Sequence, residues 1–300
     1  MITQPQNPST RVLLFSLKGS IIPVIWRKVL FTTLLSSLVV ATHGTLYHYK
    51  VTLTATPFTL WGLTLAIFLG FRNSAAYQRF WEARTLWGEL IISARNLTRQ
   101  VQQYFPQLDR DERLYLLQPL LAYPYALRNF LRGVIYENAN RIADDEVRRH
   151  MASPALILNM LGKRVTEYAR LSRLDPILLA QMDAQLNQLS QVHGGCERIK
   201  STPIPYPYIL MLHRIVHIYC FLLPFCLVDS IGWLTPVAVC ILAYTFFGLD
   251  ALGDQIADPF GTEPNDLPLD AMSRNIEIAV LEIIAEPLPP ALQPEEGVLL

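Results

Sequence analysis

The stretch 29–49, VLFTTLLSSLVVATHGTLYHY, and the stretch 51–71, VTLTATPFTLWGLTLAIFLGF, contain no Asp, Glu, Lys or Arg, and only Lys50 separates them. A helix crosses the hydrocarbon core of a bilayer with about 20 residues, so each stretch is long enough to span a membrane. Tyr47 and Tyr49 stand beside Lys50, and tyrosine is common at the membrane–water interface. These stretches therefore predict two transmembrane helices joined by a turn at Lys50.

A second pair of apolar runs lies near the C-terminus. Residues 215–228 and 230–249 carry no charge, Asp229 separates them, and Asp250 ends the second run. Pro224 and Pro236 fall within these runs, where neighbouring helices can satisfy the freed carbonyl groups. One such pair alone could be a buried hairpin of a soluble protein, but two pairs favour an all-α membrane protein with four transmembrane helices.

The composition agrees with a membrane protein. Of the 300 residues, 51% are hydrophobic and only 17% are charged, whereas an average soluble domain has about a quarter charged residues. The formal net charge is zero, which gives no reason to expect nucleic acid as a partner. The four cysteines have neither metal spacing nor a disulfide pattern. No long apolar segment follows Met1 closely, so we expect no cleaved signal peptide.

Lysine and arginine predict the orientation, because cytoplasmic loops carry an excess of both. The short hairpin loops contain only Lys50 and Asp229, whereas the flanking segments contain Arg11, Lys18, Arg27, Lys28, Arg72, Arg79, Arg84, Arg95 and Arg99. Both termini and the central insert are therefore predicted to be cytoplasmic. The predicted segments are an N-terminal segment (1–28), transmembrane helices 1 and 2 (29–72), a helical cytoplasmic insert (73–205), transmembrane helices 3 and 4 (206–251) and an acidic cytoplasmic tail (252–300).

The insert has the pattern of a soluble helical region without strands. Apolar residues recur at helical spacing over 75–104, and Pro106 ends that helix. Acidic residues suited to helix starts mark three further helices, at Asp109, Asp144 and Asp175. The last of these is predicted to run to about Val192 and to break at a Gly194–Gly195 turn. The Arg and Lys side chains of the insert are interpreted mainly as a solvated surface.

One stripe on the second apolar stretch suggests a function. Leu63, Ile67 and Phe71 are four residues apart and share a helix face, beside a face of small residues: Gly62, Ala66 and Gly70. Small residues allow helices to approach closely. Ordinary packing explains such a stripe in an isolated helix. If copies of this helix surround an axis, the same side chains form a hydrophobic constriction that gates by dewetting.

Other candidate residues have simpler alternatives. His213 and His217 have the i, i+4 spacing of a metal pair, but no further ligand is nearby, and interfacial packing is favoured. Arg72 and Arg79 could attract anionic lipid head groups. Residues 254–266 form an acidic stretch after the fourth apolar run; its oxygens suit Ca²⁺, but the spacing is not that of an EF-hand. A solvated acidic loop is the alternative.

Nothing in the chain indicates an enzyme, since no nucleophile–base pair, phosphate-binding glycine loop or dinucleotide fingerprint is present. A secondary transporter would have internal repeats and ionisable residues in mid-membrane, and the sequence indicates neither. A membrane-anchored scaffold whose insert binds a partner remains an alternative to a channel.

Three segments together resemble the bestrophin family, and its bacterial branch most closely. They are FLGFRNSAAYQRFWEAR at 68–84, GGCERIKSTPIPY at 194–206 and DQIADPFG at 254–261, and the likeness extends over about residues 18–286. The resemblance implies a homopentamer in the bacterial inner membrane that passively conducts small monovalent ions through a central pore. It places the pore neck at Leu63, Ile67 and Phe71, and a cytoplasmic constriction at Ile177.

The resemblance also bears on ion selectivity and on Ca²⁺. Animal members conduct anions and open when Ca²⁺ binds the acidic loop, whose matching positions here are Gln255, Asp258, Glu263 and Asp266. Pro264 and Leu267 interrupt the animal pattern. Whether this loop binds a divalent cation is therefore left open, and no cofactor is required. Bacterial members resemble cation channels, which favours Na⁺ and K⁺ over Cl⁻; an anion channel of the same fold is the alternative.

Overall fold

A computed structural model describes Met1 and residues 16–17, 19–42, 45–46, 49–50, 54–134, 144–295 and 297–299. Within these residues the helices are α1 (Ile22–Ala41), α2 (Ala55–Tyr104), α3 (Arg110–Arg132), α4 (Asp145–Arg149), α5 (Pro154–Leu171), α6 (Pro176–Ser201), α7 (Tyr206–Ile231), α8 (Thr235–Ala257) and α9 (Leu269–Ile283). A 3-10 turn at Gly232–Leu234 joins α7 to α8. Arg11, Lys18 and Tyr47, which entered the predicted topology, lie outside the described residues.

The chain divides into two compact units. The hairpin unit comprises residues 5–80 and 203–258, and the insert unit comprises residues 1–4, 81–202 and 259–300. Helix α2 contributes its first half to the hairpin unit and its second half to the insert unit. The predicted boundary between 72 and 73 therefore falls inside a continuous helix of 50 residues.

In the hairpin unit, α1, α7 and α8 pack together around an apolar core that includes Ile25, Leu69, Val216 and Val239. Two helical stretches among the described residues, Ile22–Ala41 and Tyr206–Ala257, are long and apolar enough to cross a membrane. Only 28% of each apolar window is buried within the chain. A core hairpin of a soluble protein would be mostly buried, so these stretches leave apolar surface for lipid or for another chain.

The apolar helices do not coincide with the charge-free runs. Helix α1 begins seven residues before Val29 and contains Arg27 and Lys28, because Pro23 suits a helix start and Arg and Lys are good helix formers. It ends at Ala41, not near Tyr49. At the predicted turn beside Lys50, residues Thr45–Leu46 (β1) pair antiparallel with Tyr49–Lys50 (β2).

The last two apolar helices also differ from the prediction. Helix α7 begins at Tyr206, nine residues before the charge-free run, and keeps Pro224 in its interior as expected. Pro236 lies in the first turn of α8 and not in the helix interior, and the fixed φ of proline suits that position. Helix α8 continues through Asp250 to Ala257, because a charged residue does not end a helix when its side chain finds a partner.

The insert unit confirms the predicted helix starts. Asp109 caps α3 and forms a capping box with Glu112, and Asp144 caps α4. Asp175 caps α6, with Pro176 as the first helical residue. The predicted break at Gly194–Gly195 is wrong, since α6 continues to Ser201. A Cβ atom on Gly195 would lie 2.8 Å from Leu86 Cδ1, so this glycine permits close packing against α2. Helices α5 and α9 were not predicted individually.

Two acidic residues of the tail pair with arginines of the insert unit. Asp270 of α9 bonds Arg128 and lies 2.7 Å from Arg132 Nη1, and Glu286 accepts two hydrogen bonds of 2.7 Å from Arg110. Arg164 bonds Asp144 at 2.6 Å. Arg128 is 1% exposed and Arg164 is 4% exposed, so the interpretation of the basic residues as a solvated surface is wrong for these two.

Candidate functional site

The stripe on α2 is exposed in the single chain. Leu63, Ile67 and Phe71 are 59%, 50% and 66% exposed. Leu65 and Leu69 on the other side of the helix are at most 2% exposed and belong to the core of the hairpin unit. Helix α2 thus has one side that packs within its own chain and a second apolar side that this chain leaves uncovered.

The small-residue face beside the stripe has one residue in close contact. A Cβ atom on Gly62 would lie 2.5 Å from the hydroxyl oxygen of Tyr219, so glycine at this position lets α2 approach α7. Ala66 and Gly70 are exposed, and Gly70 has no atom within 4 Å of its Cβ position. The close approach predicted for this face is therefore found within the chain at Gly62.

Ile177 lies in the first turn of α6, in the insert unit. Its backbone N–H donates to Asp175 Oδ1 at 2.8 Å, and its side chain is 71% exposed. The cap satisfies the backbone while the apolar side chain points away from the core. The alternative of a buried helix-start residue is therefore excluded in the single chain.

A buried ion-pair cluster, which the sequence did not predict, lies directly beside the stripe. Arg72 follows Phe71 and is 1% exposed; its Nη1 donates to Asp250 Oδ1 at 2.6 Å, and its Nη2 donates to Asp254. The prediction that Arg72 attracts lipid head groups is wrong, since its guanidinium group is enclosed by these carboxylates. Arg79 donates from Nε to the Ala257 carbonyl at 3.1 Å.

The paired histidines are part of this cluster. His213 Nδ1 lies 2.8 Å from Asp250 Oδ2, and His217 Nδ1 donates to the His213 carbonyl at 2.7 Å. The His213 and His217 rings are 4.3 Å apart. Among the described residues, no group of three or more His, Cys, Asp or Glu is placed to hold a metal ion. The pair therefore orients Asp250 and packs in the hairpin unit.

The acidic loop folds as a turn with its own hydrogen bonds. Asp266 is 4% exposed and accepts from the Glu263 backbone N–H at 2.8 Å, while the Asp266 N–H donates to the Glu263 carbonyl at 3.0 Å. Gly261 has no space for a Cβ atom beside the Asp266 carboxylate. Gln255 and Asp258 belong to the hairpin unit, whereas Glu263 and Asp266 belong to the insert unit.

The Ca²⁺ ligand set that the resemblance implies stays a prediction. Ca²⁺ takes six to eight oxygen ligands in proteins, and among the described residues no group of three or more His, Cys, Asp or Glu is placed to hold a metal ion. The hydrogen bonds between Asp266 and Glu263 stabilise a turn before α9.

One signal in the sequence could have revealed the buried cluster. Asp250 and Asp254 are four residues apart and thus share a face of α8, at the end of an apolar run. An ionisable residue in such a position has a partner by default. The partner could not be read from the sequence, because Arg72 is 178 residues away from Asp250 along the chain.

The uncovered apolar helices are of the kind found in helical membrane proteins. The family model for bacterial and fungal bestrophin proteins matches residues 1–282. A voltage-dependent anion channel-forming protein of Mesorhizobium japonicum is 39% identical over 300 residues, covering 99% of this chain and 96% of the relative. A protein of the same description from Ralstonia nicotianae is 41% identical over 296 residues, covering 96% of this chain and 95% of the relative.

A solved structure agrees with these relatives. The crystal structure of a bacterial bestrophin homolog from Klebsiella pneumoniae has 36% sequence identity and a TM-score of 0.83, covering 88% of this chain and 99% of that one. The chain therefore belongs to the bacterial and fungal bestrophin family. It is a membrane channel protein and not an enzyme, and the predicted family is confirmed.

Proposed function

We propose that the chain forms a homopentameric channel that passively conducts small monovalent ions, with Leu63, Ile67 and Phe71 as the neck of a central pore. The observation that carries this proposal is the exposed stripe on α2 beside a buried ion-pair cluster. Large apolar side chains remain uncovered although the same helix turn is fixed firmly within its own chain. Copies of α2 around an axis would place these side chains toward the pore.

Four membrane spans follow from this arrangement. They are α1, the first half of α2, α7 and α8, with the loops 42–54 and 232–234 outside and both termini in the cytoplasm of a bacterial cell. The arginines of the second half of α2 support this orientation, because positive residues stay on the cytoplasmic side. In this proposal the spans cross the inner membrane, with lipid around the outer helices.

The neck works as a barrier to dehydrated ions. Aliphatic and aromatic side chains offer an ion no oxygen to replace its hydration shell, so conduction depends on the radius and wetting of the constriction. Ile177, exposed at the start of α6, forms a second constriction in the cytoplasmic part of the pore. No cofactor takes part in this mechanism, and the acidic loop acts as a structural turn.

Cations are the favoured ions. Asp175 lies two residues before Ile177, so a closed ring would place one carboxylate per subunit beside the second constriction. Rings of carboxylates favour cations. Anion conduction is the second candidate, and the description of the relatives from Mesorhizobium japonicum and Ralstonia nicotianae as anion channel-forming favours it.

Two measurements test the proposal. Light scattering with correction for bound detergent should give the mass of a closed ring; a monodisperse monomer of 34.1 kDa would contradict the assembly. Purified protein in a planar bilayer should carry current under a KCl gradient. A reversal potential near the K⁺ equilibrium value supports cations, a reversal near the Cl⁻ value supports the second candidate, and the absence of current supports the scaffold alternative.

A further inference from the structure

A groove of about 580 Å³ lies between α1, α7 and α8 of the hairpin unit. We call it the basic groove, and its lining includes Arg27, Lys28, Phe31, Ile218, Phe221 and Phe247. Two cations therefore border a cavity whose other walls are mainly apolar. This combination differs from the pore stripe, which has no charged member.

The two cations are available to a ligand. Arg27 is exposed and Lys28 is partly exposed, and across the described residues no carboxylate forms an ion pair with either. Their recorded partners are aromatic rings: Lys28 Nζ lies 5.7 Å from the centre of the Phe247 ring, and the Arg27 guanidinium lies 5.5 Å from the Trp26 ring. Such contacts orient the cations without neutralising them.

The apolar walls continue along the helices away from the cations. Phe31 follows Arg27 by one turn of α1, and Phe221 follows His217 by one turn of α7, a rise of about 5.4 Å in each case. Phe31, Ile218 and Phe221 are 60%, 48% and 46% exposed. Because α1 and α7 both run outward from the cytoplasmic side in the proposed topology, these side chains lie deeper in the bilayer than the cations.

We infer that the basic groove binds an anionic phospholipid of the cytoplasmic leaflet, with its phosphate at Arg27 and Lys28 and an acyl chain along Phe31, Ile218 and Phe221. A soluble phosphate would use the cations but not the apolar walls. A zwitterionic lipid would use the walls but would leave the two cations without a net negative partner. This inference rests on the membrane orientation of the proposed function.

The test uses the purified full-length protein after removal of bound lipid. It is placed in micelles with equal amounts of phosphatidylglycerol and phosphatidylcholine of identical acyl chains, and retained lipids are counted by native mass spectrometry. We expect phosphatidylglycerol to be retained preferentially. Arg27→Gln and Lys28→Gln should each reduce that preference about fivefold, the contribution of one basic residue near an anionic membrane surface.

Matched variants separate this site from general charge effects. Arg214→Gln removes an exposed cation of α7 that does not line the groove, and it should leave the preference unchanged. Phe31→Ala with Phe221→Ala should reduce retention of both lipids at this site. Glycerol 1-phosphate, which has the head-group charge but no acyl chain, should not displace phosphatidylglycerol.

Three results would overturn the inference. They are equal retention of the two lipids by the wild-type protein, an unchanged preference in both cation variants, and displacement by glycerol 1-phosphate, which would indicate a soluble phosphate ligand. Current measured in bilayers of pure phosphatidylcholine distinguishes a failure of the proposed lipid site from a failure of the proposed channel. A conducting protein without the lipid preference refutes only the lipid site, whereas a protein without current refutes the channel.

Discussion

Arg72 Nη1 donates to Asp250 Oδ1 across 2.6 Å, and the two side chains are 1% and 2% exposed. This bond ties α2 to α8 one residue after Phe71. His213 holds the second oxygen of Asp250 at 2.8 Å, so both carboxylate oxygens have a partner. The orientation of the exposed stripe therefore depends on a buried polar contact as well as on apolar packing.

Breaking this ion pair should strongly destabilise the protein. Asp250→Asn leaves a buried guanidinium with one carboxylate fewer, and loss of one partner of a buried pair costs about 3–5 kcal/mol. The comparison is Arg198→Met, which removes a bond to Glu82 between side chains that are 67% and 44% exposed; surface pairs contribute about 0–1 kcal/mol. Thermal unfolding in detergent should separate the variants, and equal melting temperatures would refute the structural role of Arg72.

The two adjacent glycines of α6 should respond differently to substitution. Gly195→Leu forces Leu86 or the helices apart, at a cost of about 1–3 kcal/mol. Gly194 is exposed and has no atom within 4 Å of its Cβ position. Gly194→Leu should therefore raise stability by up to about 1 kcal/mol through better helix propensity. Melting curves that rank Gly195→Leu as the more stable variant would contradict the close packing of Gly195 against Leu86.

The insert unit should lose stability in mild acid because of His193. Burial lowers the pKa of His193 from its usual value of 6.5, and the Glu197 charge opposes this only in part. The unfolded chain then binds the proton more tightly than the folded chain. The stability that neutral His193 contributes is fully present above about pH 6.5, and it is lost as the pH drops below that value.

His193→Gln should remove this part of the pH dependence. The measurement is the midpoint of chemical unfolding from about pH 8 to about pH 5.5 for both proteins. The wild-type midpoint should fall more steeply than that of the variant. Parallel curves, or a wild-type curve that rises toward acid, would show that His193 is not held in its neutral form.

Ile177→Ala tests the second constriction. Because the side chain is 71% exposed, its loss should leave thermal stability nearly unchanged, unlike the cost of about 2–5 kcal/mol for a buried isoleucine. Unitary conductance should rise as the constriction widens. Leu171→Ala, at a residue that is 74% exposed, is the matched control and should alter neither quantity. Unchanged unitary conductance in Ile177→Ala would remove this residue from the pore.

Local signals in the sequence predicted local features well. The caps at Asp109, Asp144 and Asp175 were identified because a helix start depends on a few neighbouring residues. The predicted ends of the apolar helices are wrong because a charge-free run shows only which part of a helix is apolar. Helix α1 begins before Lys28, and α8 continues past Asp250. The apparent turn at Gly195 also depended on a distant residue, Leu86.

In the candidate site, too, the features that depend on nearby residues are predicted from the sequence, and those that depend on distant residues are not. The stripe of Leu63, Ile67 and Phe71 follows from spacing along one helix, and its exposure agrees with that pattern. Arg72 and its partners on α8 are far apart in sequence, and Arg72 and Asp250 coincide with the ends of the charge-free runs. Their burial emerges only when three helices are brought together.

Single-channel recording of Ile67→Ala shows whether the stripe on α2 lines the ion pathway. Leu34→Ala is the matched control, because Leu34 of α1 is 61% exposed and also apolar. We expect a larger unitary conductance for Ile67→Ala, since a wider and more easily wetted neck lowers the barrier, and an unchanged value for Leu34→Ala. An Ile67→Ala channel that assembles normally and conducts at the wild-type unitary level would show that the stripe does not line the pore.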